Sequence, residues 1–123
     1  TGEFKFKSKR VLLEPSKLLH NVVLSLISEG KLGVIIPTEE QLEDATHRWQ
    51  AEGIQLNIEV ASPWDNAEVN KAIEGLKRFD PDLIVADCYG FVGPVVERIR
   101  RKTGKPVVAP CELASSIAKT LLQ

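Results

Sequence analysis

The thiol best placed for chemistry is Cys88, at a predicted junction between a strand and a helix. Residues 83–86 form a short aliphatic run typical of a buried strand, and Val92, Val96 and Ile99 then recur at the spacing of one helix face. Ligands of parallel α/β sheets bind at the carboxyl ends of strands, and the positive end of a helix favours a thiolate. The alternative is that Cys88 is a packed small hydrophobe without a chemical role.

A second thiol, Cys111, follows Pro110 at the predicted start of the last helix. The two thiols could form a redox or acid/base pair, or Cys111 could be a helix-start residue with no further role. Both histidines, His20 and His47, fall inside predicted helices, so no catalytic triad is predicted at the strand ends. Because metal-ligand spacing and a glycine-rich phosphate loop are also missing, we expect neither a metal nor a cofactor.

Strand and helix patterns alternate along the chain after a first helix. The predicted strands are 32–36, 54–60, 83–86 and 107–109, each followed by an amphipathic helix. This alternation predicts a parallel sheet with helices on both faces and right-handed crossovers. Strand 54–60 alternates apolar and polar residues, which indicates an edge. The fold class is therefore α/β, with a four-stranded parallel sheet flanked by helices in the flavodoxin-like order 2-1-3-4.

The predicted strand order puts the switch point between the first and third strands. The residues that follow these two strands should meet at one mouth of the sheet: Pro37, Thr38, Cys88, Tyr89 and Gly90. There Cys88 could act as an acid/base, while Thr38 and the backbone amides near Tyr89 and Gly90 hold a substrate carboxylate.

The composition is that of an ordinary soluble globular protein. Of the 123 residues, 43% are hydrophobic and 27% charged, and the net charge is −1. We therefore expect no nucleic acid and no anionic membrane as partner, and no apolar run approaches the ~20 residues of a membrane span. Two cysteines do not make a disulfide framework, so a reduced, cytoplasmic setting is expected.

The first ten residues differ from the rest of the chain. Residues 1–10 have no buried pattern and are predicted to be a linker, whereas 11–123 are predicted to form a single α/β domain. The chain starts at Thr1 and contains no methionine, so we expect that its N-terminus was processed, cut or omitted.

Several short segments together resemble one known family. They are TGEF at 1–4, LLEPSKLL at 12–19, KLGVIIP at 31–37 and DCYGF at 87–91. On these motifs the whole chain resembles the AroM family, within the aspartate/glutamate racemase superfamily.

The resemblance implies a mechanism built on two thiols. Proteins of that superfamily have two pseudo-symmetric α/β halves, each giving one cysteine. One thiolate removes the proton α to a carboxylate, the other thiol protonates the opposite face, and no cofactor is needed. Cys88 matches the second-half thiol. The first-half thiol would stand immediately before Thr1, which we therefore place among the substrate-binding residues.

The resemblance also implies that this chain is the C-terminal half of a longer protein. We expect it to be inactive alone, and either to contact the missing half or to self-associate as a homodimer. Racemases of the superfamily usually follow the second cysteine with Thr and a polar residue, whereas Tyr89 and Gly90 follow here. Racemisation, isomerisation and C–C cleavage of a small carboxylate thus stay open. The alternative is a small-anion binding or interaction domain without catalysis.

Overall fold

The computed structural model describes residues 4–5 and 11–123. Strand β1 (Phe4–Lys5) pairs antiparallel with β2 (Leu12–Leu13), with Phe4 opposite Leu13. The remaining residues of the predicted linker lie outside the described part of the chain.

A parallel sheet forms the centre of the protein. Its strands are β3 (Gly30–Ile36), β4 (Ile54–Val60), β5 (Leu83–Ala86) and β6 (Val107–Val108). They lie in the order β4-β3-β5-β6, and every pairing between them is parallel. The predicted fold class and the 2-1-3-4 order are therefore confirmed, with β4 at the predicted edge.

In the part of the chain that the structure describes, five α-helices connect and cover the strands. They are α1 (Pro15–Leu26), α2 (Leu42–Trp49), α3 (Asn66–Phe79), α4 (Gly93–Thr103) and α5 (Pro110–Leu122), and a short 3-10 helix (Glu39–Gln41) precedes α2. In the described part of the chain, no helix combines the length and apolarity needed to cross a bilayer.

The sheet separates two apolar cores. On one face, Leu19 and Val23 of α1 and Trp49 of α2 pack against Val34 and Val85. The other face is covered by α3 and α4 through these residues: Val69, Ile73, Leu76, Val96 and Ile99. Each such fully buried aliphatic side chain stabilises the fold by about 1.5 to 3 kcal/mol. Burial on both faces explains why β3 and β5 are continuous apolar runs.

Helix ends follow the predicted signals only in part. Asp65 caps α3 by accepting hydrogen bonds from the backbone N–H groups of Ala67 and Glu68, at 3.0 and 3.1 Å. Asp65 and Glu68 have the spacing of a capping box, but the Glu68 side chain accepts from the Ser62 N–H instead of from Asp65. Loop 61–65 is thereby fixed from both sides at the carboxyl end of β4.

Thr38 and Gln41 also have the spacing of a capping box, but this box does not form. Thr38 precedes the 3-10 helix with no side-chain cap bond, and α2 begins only at Leu42. Ser16 likewise does not cap α1, because Pro15 is already its first residue. Proline fits there because the first helical N–H has no partner inside the helix.

Candidate active site

A cleft of about 250 Å³ opens at the switch point, between the carboxyl ends of β3 and β5. The described residues that line it are Ser16, Leu19, Pro37, Gln41, Asp44, Arg48, Asp87, Cys88, Tyr89 and Pro110. Its charged lining thus consists of one guanidinium and two carboxylates. Its volume lies just below the range of drug-sized pockets, roughly 300 to 1,000 Å³, so a small molecule fits this cleft best.

The structure brings together only some of the residues expected at this mouth. Pro37, Cys88 and Tyr89 line the cleft. Thr38 is exposed and is not among the described lining residues. Gly90 lies in the turn behind Cys88, and Thr1 falls outside the described residues.

Cys88 lies in a turn rather than directly at a helix start. Strand β5 ends at Ala86 and α4 begins at Gly93, so Cys88 lies between strand and helix as predicted but several residues ahead of the helix. The Phe91 N–H donates to the Cys88 carbonyl at 3.1 Å, which closes a β-turn over residues 88–91, and the Phe91 side chain is fully buried. Because the effect of a helix dipole fades within about one turn, α4 acts on the thiol less than predicted.

The donor to Cys88 is a backbone N–H of the turn, not the N-terminus of α4. The Gly90 N–H donates to Cys88 Sγ at 3.3 Å. Donors aimed at an atom that gains negative charge during a reaction stabilise that charge. In this geometry the Gly90 N–H is directed at the atom that would carry the charge of a thiolate.

Gly90 is required by the close packing of this turn. A Cβ at this position would lie 2.7 Å from Pro63 Cγ and 2.8 Å from Trp64 Cη2. The Trp64 indole, which is 80% exposed, thus covers the outer side of the turn and packs on Gly90. These contacts make Trp64 a packing residue of the turn.

Arg48 is a charged residue of the cleft that the sequence did not indicate. Its guanidinium forms a salt bridge with Asp87 through Nη2, and its Nη1 lies 3.2 Å from Asp44 Oδ2. Trp49 Nε1 donates to the same Asp87 oxygen at 2.9 Å. The Asp87 side chain is only 15% exposed, whereas that of Asp44 is 82% exposed.

No local signal distinguishes Arg48 from an ordinary surface arginine. Asp44 and Arg48 are four residues apart on α2, a spacing that by itself indicates a solvated ion pair. Only the tertiary contact of α2 with the end of β5 brings the guanidinium into the cleft. The His20 ring lies against the same helix: its Nε2 donates to the Arg48 carbonyl at 3.0 Å, and its centroid is 5.4 Å from that of the Trp49 ring.

Cys111 lies on the other side of the turn. Its thiol donates to the Tyr89 carbonyl at 3.6 Å, and it lines a separate groove with Val92 and Gly93. Burial, and to a lesser degree the nearby Cys88, raise the pKa of Cys111. The predicted benefit of the α5 N-terminus is therefore outweighed by burial, and Cys111 keeps its proton at neutral pH.

Both cysteines are free thiols. Within the residues that the structure describes, no group of three or more His, Cys, Asp or Glu side chains could hold a metal ion. The ionisable and nucleophilic side chains among the described lining residues are therefore one thiol, one guanidinium and two carboxylates, together with those of Tyr89 and Ser16.

Comparison with known proteins gives one match. The sequence model of the family described as AroM protein matches residues 1–122. No curated protein and no solved structure matches the chain. Since the match spans nearly its whole length, the chain belongs to the AroM family.

Proposed function

We propose that this chain provides the acid/base thiol, Cys88, of a cofactor-independent site that acts next to a carboxylate of a small molecule. The observation that supports this most is the placement of Cys88 Sγ in the switch-point cleft, where it accepts the Gly90 N–H and shares the lining with Arg48. The resemblance to the aspartate/glutamate racemase superfamily agrees with the same role for this thiol.

Arg48 is the group best suited to hold the substrate carboxylate. Its partner Asp87 is half-buried and also bonded to Trp49, so that contact is fixed. Its partner Asp44 is mostly exposed, and an exposed ion pair contributes only about 0 to 1 kcal/mol. A substrate carboxylate can therefore displace Asp44 from Nη1 while Asp87 keeps the guanidinium in place.

The proton transfer that this arrangement supports consists of two steps, the removal of one proton and its return. The Cys88 thiolate takes the proton from the carbon α to the carboxylate, and the C–H electron pair moves into an enolate that Arg48 stabilises. The thiol then returns a proton to carbon. Among the described lining residues only one thiol reaches the cleft, so we expect no racemisation by this polypeptide alone.

Ligand protection tests the proposal without requiring turnover. Short carboxylates such as acetate, malonate and succinate should slow the alkylation of Cys88 by iodoacetamide, since they would occupy Arg48 beside the thiol. Arg48→Gln should abolish this protection. Arg101→Gln, on the exposed end of α4, removes the same charge away from the cleft and should leave it intact.

The second candidate function is small-anion binding without catalysis. It is favoured by the guanidinium in the cleft and by the fact that Cys88 is only half exposed. Carboxylate protection that depends on Arg48, combined with a Cys88 that reacts no faster than an ordinary thiol, would support this second function over the first. The free thiols of Cys88 and Cys111 fit the proposed reduced, cytoplasmic setting.

A further inference from the structure

The two thiols contact one peptide unit from opposite sides. Cys111 donates to the Tyr89 carbonyl at 3.6 Å, and the Gly90 N–H donates to Cys88 Sγ at 3.3 Å. This carbonyl and this N–H belong to the same planar trans peptide, so they point in opposite directions. A chain of two hydrogen bonds therefore runs from Cys111 through the peptide to Cys88.

That peptide is the central one of the β-turn over residues 88–91. A central peptide of a β-turn can take two orientations, and glycine in the third position favours the one in which its φ is positive. Gly90 is not among the described glycines with positive φ, which are Gly30, Gly53 and Gly104. The turn thus adopts the orientation with negative φ at Gly90, which aims the Gly90 N–H at Cys88, although glycine at this position also permits the flipped peptide.

We propose that Cys111 is a positioning residue for Cys88: by donating to the Tyr89 carbonyl, it holds the peptide in the orientation that directs the Gly90 N–H at the Cys88 sulfur. In the flipped peptide this N–H points away and Cys88 loses its donor. Burial keeps Cys111 protonated at neutral pH, as a donor must be. The inference rests on the proposed function, in which the reactivity of Cys88 is used.

Substitutions of Cys111 test its positioning role without changing the other polar groups near the two thiols. The other titratable or charged side chains that line the cleft or the groove of Cys111 are Asp44, Arg48, Asp87, Tyr89, Glu112 and Lys119. Substitution of Cys111 leaves all of these unchanged. Because the thiols lie on opposite sides of a peptide, a direct disulfide would require the turn to open, so the role assigned to Cys111 needs no oxidation.

The matched pair Cys111→Ser and Cys111→Ala differs by one hydroxyl donor. Iodoacetamide labels Cys88 as the single thiol in both variants, and intact mass at pH 7 gives its rate. We expect the rate to fall about threefold or more in Cys111→Ala and to stay within about twofold of wild type in Cys111→Ser. Circular dichroism checks folding, and Cys111→Val, which fills the space without a donor, replaces Ala if that variant unfolds.

The outcomes separate this inference from the proposed function. Equal Cys88 rates in the wild type and in the Ala and Val variants overturn the positioning role and leave the proposed function standing. The positioning role is also overturned if Cys88 is labelled as slowly in Cys111→Ser as in Cys111→Ala, because Cys111 would then act through packing alone. A Cys88 that is inert already in the wild type overturns both.

Discussion

The indole nitrogen of Trp49 donates a hydrogen bond of 2.9 Å to Asp87 Oδ2, across 38 residues of sequence. It joins the last residue of α2 to the residue that follows β5. Since Asp87 precedes Cys88, this bond fixes the backbone from which the cysteine projects. Arg48, which precedes Trp49, binds the same carboxylate and so is fixed relative to the thiol.

The Trp49–Asp87 bond should contribute measurably to stability. A hydrogen bond to a charged group contributes about 1.5 to 3 kcal/mol, and Asp87 is mostly buried. We expect a double-mutant cycle of Trp49→Phe and Asp87→Ala, measured by urea unfolding, to give a coupling of about 1 to 2 kcal/mol. Additive effects of the two substitutions would show that the bond does not stabilise the fold.

Gly90→Ala should destabilise the turn beneath Cys88. The added Cβ would overlap Pro63 and Trp64, and overpacking of this kind costs about 1 to 3 kcal/mol. The exposed Trp64 should be displaced, which tryptophan fluorescence reports. Gly93→Ala is the matched control, because no atom lies within 4 Å of its Cβ. Equal stability of the two variants would contradict the packing described for Gly90.

The cap of α3 should depend on pH. The backbone hydrogen bond from Glu68 lowers the pKa of Asp65 below its ordinary value of 3.8. The stabilisation by the carboxylate is therefore fully present above pH 3.8 and is lost as the pH falls through the lower, folded-state pKa. We expect Asp65→Ala to lower the Tm by about 3 to 5 °C at pH 7.

Asp65→Asn separates the charge of this cap from its hydrogen bonds. Asparagine accepts the same backbone bonds but does not titrate, so this variant should lose less stability than the wild type between pH 5 and pH 2. Thermal unfolding at several pH values measures the difference. Parallel curves for the wild type and the Asn variant would contradict the assigned role of the carboxylate.

Exposed leucines on α1 and α5 predict self-association. Leu26 is 61% and Leu122 is 71% exposed, on two helices that contact each other. Where exposed apolar side chains form one contiguous patch, that patch marks a contact surface. We expect light scattering to show a dimer that Leu26→Glu and Leu122→Glu weaken, with Ser25→Glu as the charge control. A monomer at every concentration would contradict this expectation.

Much of the fold could be predicted because β3 and β5 contain continuous apolar runs, whereas β4 alternates apolar and polar residues. The cleft could be placed because strand order alone fixes the switch point, which brought Pro37, Cys88 and Tyr89 together. Arg48 could not be predicted, since its role depends on a tertiary contact. The turn over residues 88–91 could not be predicted, because it is held by its own hydrogen bonds, which leave no periodic pattern in the sequence.

Competitive alkylation compares the two thiols in one sample. The protein is treated with limiting iodoacetamide at neutral pH, and peptide mapping gives the labelled fraction of Cys88 and of Cys111. Cys88 lies in the cleft with an N–H directed at its sulfur, whereas burial raises the pKa of Cys111. We expect Cys88 to be labelled about tenfold faster, and succinate to slow that labelling. Labelling of Cys111 first, with Cys88 inert, would contradict the acid/base role of Cys88.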